Sequence, residues 1–140
     1  MKDYSKELKD LILNTIKEGA SDLHITVGRH PTIRISGALM PLLKNPILSV
    51  ENAEGLILSM LDEKNRNILK EQKEMDLSYS FEDKARFRVN IFTQRGYLGA
   101  ALRLISNKIK TFKELNLPEI LADFAKKEQG FFLVVGPIGH

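Results

Sequence analysis

Apolar residues recur along the first part of the chain with the periods of regular secondary structure. An i, i+3, i+4, i+8 spacing predicts a one-sided helix from Ser5 to about Glu18. Its apolar positions are Leu8, Leu11, Ile12 and Ile16. Apolar and polar residues then alternate with period two at 22–27 and 32–36, which predicts two half-buried strands joined by a turn. A third strand at 38–42 contains a proline and should lie at a sheet edge.

The middle of the chain continues with two helices and three strands. Ser49 is a predicted N-cap for an amphipathic helix through Leu61, and a more polar helix is predicted at 63–72. Three alternating segments follow, at 75–81, 85–93 and 98–105. Short polar turns between them predict an antiparallel meander. The pattern therefore favours an α+β domain through Ile105, with helices packed on one face of the sheet.

The last part of the chain has a different pattern. A basic, polar connector follows Ile105, and Thr111 and Glu114 have capping-box spacing. Pro118 then opens a short apolar helix that ends at Gly130, and the apolar run 131–135 predicts a buried strand. We interpret residues 106–117 as a linker and 118–140 as the start of a second domain.

A glycine-rich ending follows that predicted strand. It comprises Gly136, Pro137, Ile138, Gly139 and His140. A P-loop reads Gly, four residues, Gly, Lys, then Ser or Thr, and it joins a buried strand to a helix. If Gly136 is the first glycine, the second falls one position past His140. Half a P-loop is a weak signal alone, because Gly-x-x-Gly after a strand is common in loops.

Composition bounds the class of protein. The chain has 140 residues, 43% of them hydrophobic and 28% charged, which is typical of a folded globular protein. Its apolar runs are too short for a membrane helix, and its start lacks the apolar core of a signal peptide. Cysteine is absent, which excludes disulfides and thiolate metal sites. We therefore expect a cytoplasmic protein. A net charge of +3 does not by itself indicate nucleic-acid binding.

The hairpin at 85–105 is the most unusual segment, because no Asp or Glu interrupts its basic residues. If Thr93 pairs with Leu98, Arg88 lies opposite Arg103, and facing like charges are destabilising. In one interpretation Glu74, Asp76 or Glu82 supplies counter-charge and the face is simply solvated. In the other, the arginines bind phosphate, to which a planar guanidinium is well suited.

Other candidate sites are weaker. Glu74 and Asp76 share a strand face but have no visible nucleophile or metal partner, so ion pairing with arginines is the expected role. His24 lies on the polar face of its strand, where a structural hydrogen bond is more common than catalysis. Three scattered histidines do not predict a metal site.

The order and spacing of several motifs resemble one family. They are Gly19-Ala20-Ser21-Asp22-Leu23-His24, then Gly28, Pro31, Arg34 and Gly37, then Glu74-x-Asp76, Ala85-Arg86-Phe87-Arg88-Val89-Asn90 and Arg103, and finally Gly130 and Gly136-Pro137. Together they resemble the start of the pilus-retraction (twitching-motility) ATPases of the type II/IV secretion ATPase superfamily. The stretch 28–31 resembles the retraction type more than the assembly or secretion types. Ile138 stands where the family more often has Thr.

The resemblance implies a PAS-like N-terminal domain (1–105), a linker (106–117) and the first helix, strand and partial P-loop of a RecA-like ATPase domain (118–140). It also implies a homo-hexameric motor that uses ATP and Mg²⁺ and docks on an inner-membrane pilus platform protein, without nucleic acid. Carried over from the family, Arg86, Arg88 and Arg103 would be catalytic phosphate contacts, and residues 136–140 would bind nucleotide.

The missing Walker lysine, hydroxyl and acid imply that this stretch alone neither holds ATP nor hydrolyses it, whereas a complete protein would. Two alternatives stay open. One is a pilus-assembly or type II secretion ATPase of the same superfamily. The other is a non-catalytic PAS-like domain that binds a ligand or partner.

Overall fold

A computed structural model describes residues 2–105 and 110–136. The chain divides into two compact units, residues 1–105 and 106–140. The helices of the first unit are α1 (Tyr4–Lys17), α2 (Val50–Leu58) and α3 (Glu63–Gln72). Its strands are β1 (Asp22–Thr26), β2 (Thr32–Ile35), β3 (Ala38–Pro41), β4 (Glu74–Phe81), β5 (Ala85–Gln94) and β6 (Tyr97–Ile105). The second unit contains α4 (Ile120–Ala125).

The six strands form one antiparallel sheet in the order β3-β2-β1-β6-β5-β4. From β1 the chain runs outward to one edge, crosses through α2 and α3 to the opposite edge, and returns inward to β6. The first and last strands of the unit are therefore neighbours at the centre of the sheet. The predicted α+β class with an antiparallel sheet is confirmed, and β3 with its proline lies at an edge, as expected.

Helices α1–α3 pack against one face of the sheet, and the apolar strand positions point towards them. Alternate residues of β5 are buried and exposed, as period-two side chains require. Strand residues of the core include Leu23, Ile25, Ile33, Phe87, Val89, Ile91 and Leu102, and helix residues include Leu8, Leu11, Ile12, Leu56 and Ile57. The face of the sheet away from α1–α3, here called the outer face, carries the remaining polar strand residues.

Local capping explains where the helices begin. The Ser49 hydroxyl accepts a hydrogen bond from the Asn52 backbone at 3.2 Å, which confirms its predicted N-cap role. Asp62 caps α3 in the same way, and α3 has the predicted bounds. Arg66 on α3 donates to the carbonyl oxygens of Leu58 and Leu61, which ties α3 to the end of α2 and the loop that follows it.

In the second unit, Thr111 and Glu114 form the predicted reciprocal capping interaction. The Thr111 backbone donates to Oε2 of Glu114 at 2.8 Å, and the Glu114 backbone donates to Oγ1 of Thr111 at 3.2 Å. The strand predicted at 131–135 is absent from the described structure, in which residues 131–136 lie in no helix or strand. Their side chains are exposed, and no described segment pairs with them. A strand needs a hydrogen-bonded neighbour, so local apolar content alone does not make one.

Candidate functional site

A two-residue turn sets the register of the β5–β6 hairpin. Arg95 and Gly96 both have positive φ, +54° and +83°, which is the pattern of a type I′ turn. Gln94 therefore pairs with Tyr97 and Thr93 with Leu98. Counting along the strands from there brings Arg88 opposite Arg103, which confirms the predicted pairing of the two arginines.

Four charged residues form one row across the outer face of the sheet. Arg34 on β2 is paired with Asp22 on β1, Asp22 with Arg103 on β6, and Arg103 with Arg88 on β5. We call these four residues the charged row. Their side chains share one face because paired residues in a sheet have parallel side-chain directions. The row holds three guanidinium groups and one carboxylate.

Asp22 is the buried centre of the charged row, with a side chain only 7% exposed. Its Oδ1 accepts a hydrogen bond from Nε of Arg103 at 3.0 Å. Its Oδ2 lies 3.4 Å from Nε of Arg34 and accepts a hydrogen bond from the Ser21 hydroxyl at 2.7 Å. Burial raises the pKa of Asp22, but the hydrogen bonds from Ser21 and Arg103 and the Arg103 charge outweigh it, so the pKa lies below its usual value.

The counter-charge of Arg103 was therefore missed by sequence reasoning. Glu74, Asp76 and Glu82 were the expected partners, and among the described residues none of them pairs with an arginine. Asp76 instead lies 3.4 Å from the Asn90 amide, and Glu82 pairs with Lys84 and Lys9. The alternation of β1 does place Asp22 on the polar face beside His24, but nothing local indicates which strand lies next to β1.

Arg88 and Arg86 are both exposed and lie on the outer face of β5. In the ranges 2–105 and 110–136, neither side chain has an ion pair or a hydrogen bond. Arg88 lines an open cleft of about 370 Å³ together with Asp22, Asp76, Asn90 and Arg103. The cleft thus brings two of the three predicted phosphate-contacting arginines together. Arg86 is opposite Ile105, one row further along the sheet.

His24 lies next to the charged row, at the outer-face position two residues after Asp22. Its Nε2 atom is buried and has no hydrogen-bond partner among the described residues, so the expected structural hydrogen bond is not found for this atom. Burial lowers the pKa of His24, and the positive charges of Arg34 and Arg103 lower it too, while Asp22 opposes them. The imidazole is therefore neutral at pH 7.

The predicted nucleotide-binding residues are only partly within the described structure. Gly136 is exposed and lies outside any strand. Pro137, Ile138, Gly139 and His140 lie outside the described residues. Within the described ranges, no group of three or more His, Asp or Glu side chains is arranged to hold a metal ion. In the same ranges, no helix has the length and apolarity needed to cross a membrane.

The fold of the first unit matches the N-terminal domain of a pilus retraction ATPase, and the sequence is homologous to the type IV pilus ATPases. The type IV pilus ATPase PilU of Pseudomonas aeruginosa is 37% identical over 133 residues, which cover 95% of this chain and 35% of PilU. The retraction ATPase PilT of the same organism is 35% identical over 133 residues, which cover 95% of this chain and 38% of PilT.

A solved structure gives the same relationship. The crystal structure of the pilus retraction motor PilT with bound ADP matches with a TM-score of 0.74 and 38% identity. The match covers 94% of this chain and 38% of that one. The chain therefore spans little more than a third of the length of these relatives. No protein-family model matches it.

Proposed function

We propose that residues 1–105 are the PAS-like N-terminal domain of an ATP-driven type IV pilus motor of the retraction type. The observation that carries this proposal is the similarity over almost the whole chain to PilU, PilT and the ADP-bound PilT structure. The domain would couple nucleotide state to movement, and it would supply arginines to the nucleotide phosphates. In this proposal residues 106–117 are a linker, and residues 118–140 open a RecA-like ATPase domain that continues past His140.

The second unit supports that arrangement through its exposed apolar surface. Phe131, Val134 and Val135 are 89%, 84% and 79% exposed. Side chains of this kind are normally covered in a folded protein. Further strands and helices of an ATPase domain would bury them, and the same strands would supply the hydrogen-bonded neighbour that residues 131–135 lack.

The outer face fits a polyphosphate anion. Arg88 and Arg86 are exposed cations without a carboxylate partner in the described ranges, and Arg103 is engaged through Nε alone. Guanidinium groups bind phosphate oxygens through paired N–H donors and stay charged at every physiological pH. Mg²⁺ would come with ATP and would be held by groups outside the described residues. The arginines would stabilise the charge that develops on the transferred phosphoryl group.

The assembled motor would be a homo-hexamer in the cytoplasm, docked on an inner-membrane pilus platform protein, with no nucleic-acid partner. Deletion of the gene tests whether the motor retracts pili or assembles them. Loss of a retraction motor should abolish twitching while pili remain on the cell surface, because assembly continues. Cells without pili would instead indicate the assembly ATPase of the same superfamily.

The coding sequence beyond His140 is the most direct test of the ATPase assignment. We expect Gly-Lys followed by Ser or Thr as the next residues, and any other sequence there would overturn the P-loop. In the protein encoded by the complete reading frame, Arg88→Ala and Arg103→Ala should each lower kcat for ATP by about 10³-fold or more. Lys64→Ala is the control, since Lys64 is an exposed cation on α3, away from the outer face. Wild-type turnover in both test variants would favour the non-catalytic PAS-like binding domain.

A further inference from the structure

Two arginines flank the carboxylate of Asp22, and they are held differently. Arg34 is held at two points, because its Nε lies 3.4 Å from Oδ2 of Asp22 and its Nη1 donates to the Gly37 carbonyl at 3.0 Å. Arg103 is held at one point, through Nε and Oδ1 of Asp22 at 3.0 Å. The Arg103 side chain is 74% exposed, compared with 35% for Arg34. Only Arg103 is therefore both fixed and accessible.

We propose that Asp22 is a positioning residue for Arg103, which it holds by one edge so that both terminal nitrogens are left for phosphate oxygens. This proposal rests on the proposed phosphate-contacting role of Arg103. An arginine carries five N–H donors in a rigid planar fork. Within residues 2–105 and 110–136, neither terminal nitrogen of Arg103 has a polar partner. A phosphate could therefore bind without breaking the contact to Asp22.

The anchoring matters because a free arginine side chain has many rotamers. Immobilising such a chain opposes binding through lost conformational entropy. Asp22 is buried in the central strand and is itself fixed by Ser21 and Arg34, so it is a rigid anchor. An arginine held before the nucleotide arrives loses less freedom on binding, which is the physical basis of preorganisation.

Arg34 gives the group formed with Asp22 and Arg103 a net positive charge. Asp22 and Arg103 alone would form a neutral pair with little attraction for phosphate. Because Arg34 shares the carboxylate, the group of three retains one net positive charge, and Arg88 opposite Arg103 adds a second. Ser21 contributes a hydrogen bond to the same carboxylate but no charge.

The test measures ATP turnover in the protein encoded by the complete reading frame. Asp22→Asn keeps the shape of the side chain and removes its charge. We expect it to lower kcat about 10- to 100-fold, the usual effect of removing a group that orients a reactive one. Combined with Arg103→Ala, it should add nothing further, because Asp22 acts only through Arg103. Asp83→Asn is the matched control, since it makes the same change at an exposed aspartate in the β4–β5 turn; its kcat should stay within about twofold of wild type.

The outcomes separate this proposal from the one it rests on. Suppose that Arg103→Ala lowers kcat. If Asp22→Asn then leaves kcat unchanged, or lowers it further in the Arg103→Ala background, the positioning role is overturned and the phosphate contact stands. If Arg103→Ala itself leaves kcat unchanged, both proposals fall. Should Asp22→Asn not fold, Asp22→Glu applies the same test, because it keeps the charge but displaces the guanidinium by one methylene.

A spectroscopic measurement on the 140-residue chain removes the dependence on turnover. The Arg103 Nε–H proton should give a slowly exchanging, shifted NMR signal in the wild type, and Asp22→Asn should abolish it. Tripolyphosphate should then shift the terminal Arg103 resonances of the wild type while the Nε–H signal persists. Loss of the Nε–H signal on tripolyphosphate binding would show that Arg103 leaves Asp22, which contradicts the proposal.

Discussion

Arg88 and Arg103 lie directly opposite each other on β5 and β6, and of the two only Arg103 has a carboxylate partner in the described part of the chain. Like charges at paired positions of a sheet are destabilising. The domain thus keeps an arrangement that opposes its own stability. Such an arrangement is expected of a site that binds an anion, because a bound phosphate would supply the missing negative charge.

Replacing Arg88 should therefore stabilise the isolated domain. We expect Arg88→Thr to raise the free energy of unfolding by a few tenths to about 1 kcal/mol, because it removes the like-charge pair. Arg86→Thr is the matched control, since Arg86 is also exposed on β5 but faces Ile105. Urea unfolding of the two variants measures the difference. Equal free energies of unfolding would show that the pair is fully screened.

The contacts of Asp22 predict an asymmetric effect on stability. Asp22→Asn should lower the free energy of unfolding by about 1–2 kcal/mol, because the remaining arginines can reach water. The double variant Arg34→Met, Arg103→Met should lower it by about 3–5 kcal/mol, because it leaves a buried carboxylate without a cation. The loss of stability in the double variant should become smaller as the pH falls towards 4 and Asp22 becomes protonated. A double variant no less stable than Asp22→Asn would contradict this reasoning.

His24 predicts a loss of stability in mild acid. Its folded pKa is lowered, first by burial and then by Arg34 and Arg103, so the unfolded chain binds the proton more tightly. Stability is then fully present above about pH 6.5 and falls as the pH drops towards the folded pKa, by at most about 1.4 kcal/mol per pH unit. In His24→Gln, the urea concentration at the midpoint of unfolding should depend less on pH between pH 7.5 and 5 than it does in the wild type. If the midpoint changes equally with pH in the two proteins, His24 does not titrate in this way.

The close approach of Gly55 to Tyr4 predicts that Gly55→Ala destabilises the wild type but stabilises a variant without the Tyr4 ring. A Cβ at Gly55 of α2 would lie 2.5 Å from the ring of Tyr4, so Gly55→Ala should destabilise the wild type by about 1 kcal/mol or more. In a Tyr4→Ala background the same change should stabilise by about 1 kcal/mol, since alanine is the better helix former. Thermal unfolding of the four proteins completes the cycle. Stabilisation in both backgrounds would mean that the Tyr4 ring moves aside freely.

Most secondary structure could be predicted because its causes are local. Apolar spacing identified the helices and strands of the first unit, with ends shifted by at most three residues, and Ser49 identified a helix start. The two-residue turn at Arg95-Gly96 is also local, and it determines the Arg88–Arg103 pairing. At 131–135 the same local reasoning predicted a strand that the described structure does not have, because no strand lies beside those residues.

The order of the strands was beyond local reasoning, and the chemistry of the charged row depends on it. Asp22 and Arg103 are 81 residues apart and meet only because β1 lies next to β6 at the centre of the sheet. Alternation shows which face a side chain occupies, but not which strand is its neighbour. The sequence by itself therefore determined the arginine hairpin and the family it resembles. Only the tertiary structure decided that one of those arginines is anchored by Asp22 while the other has no carboxylate partner among the described residues.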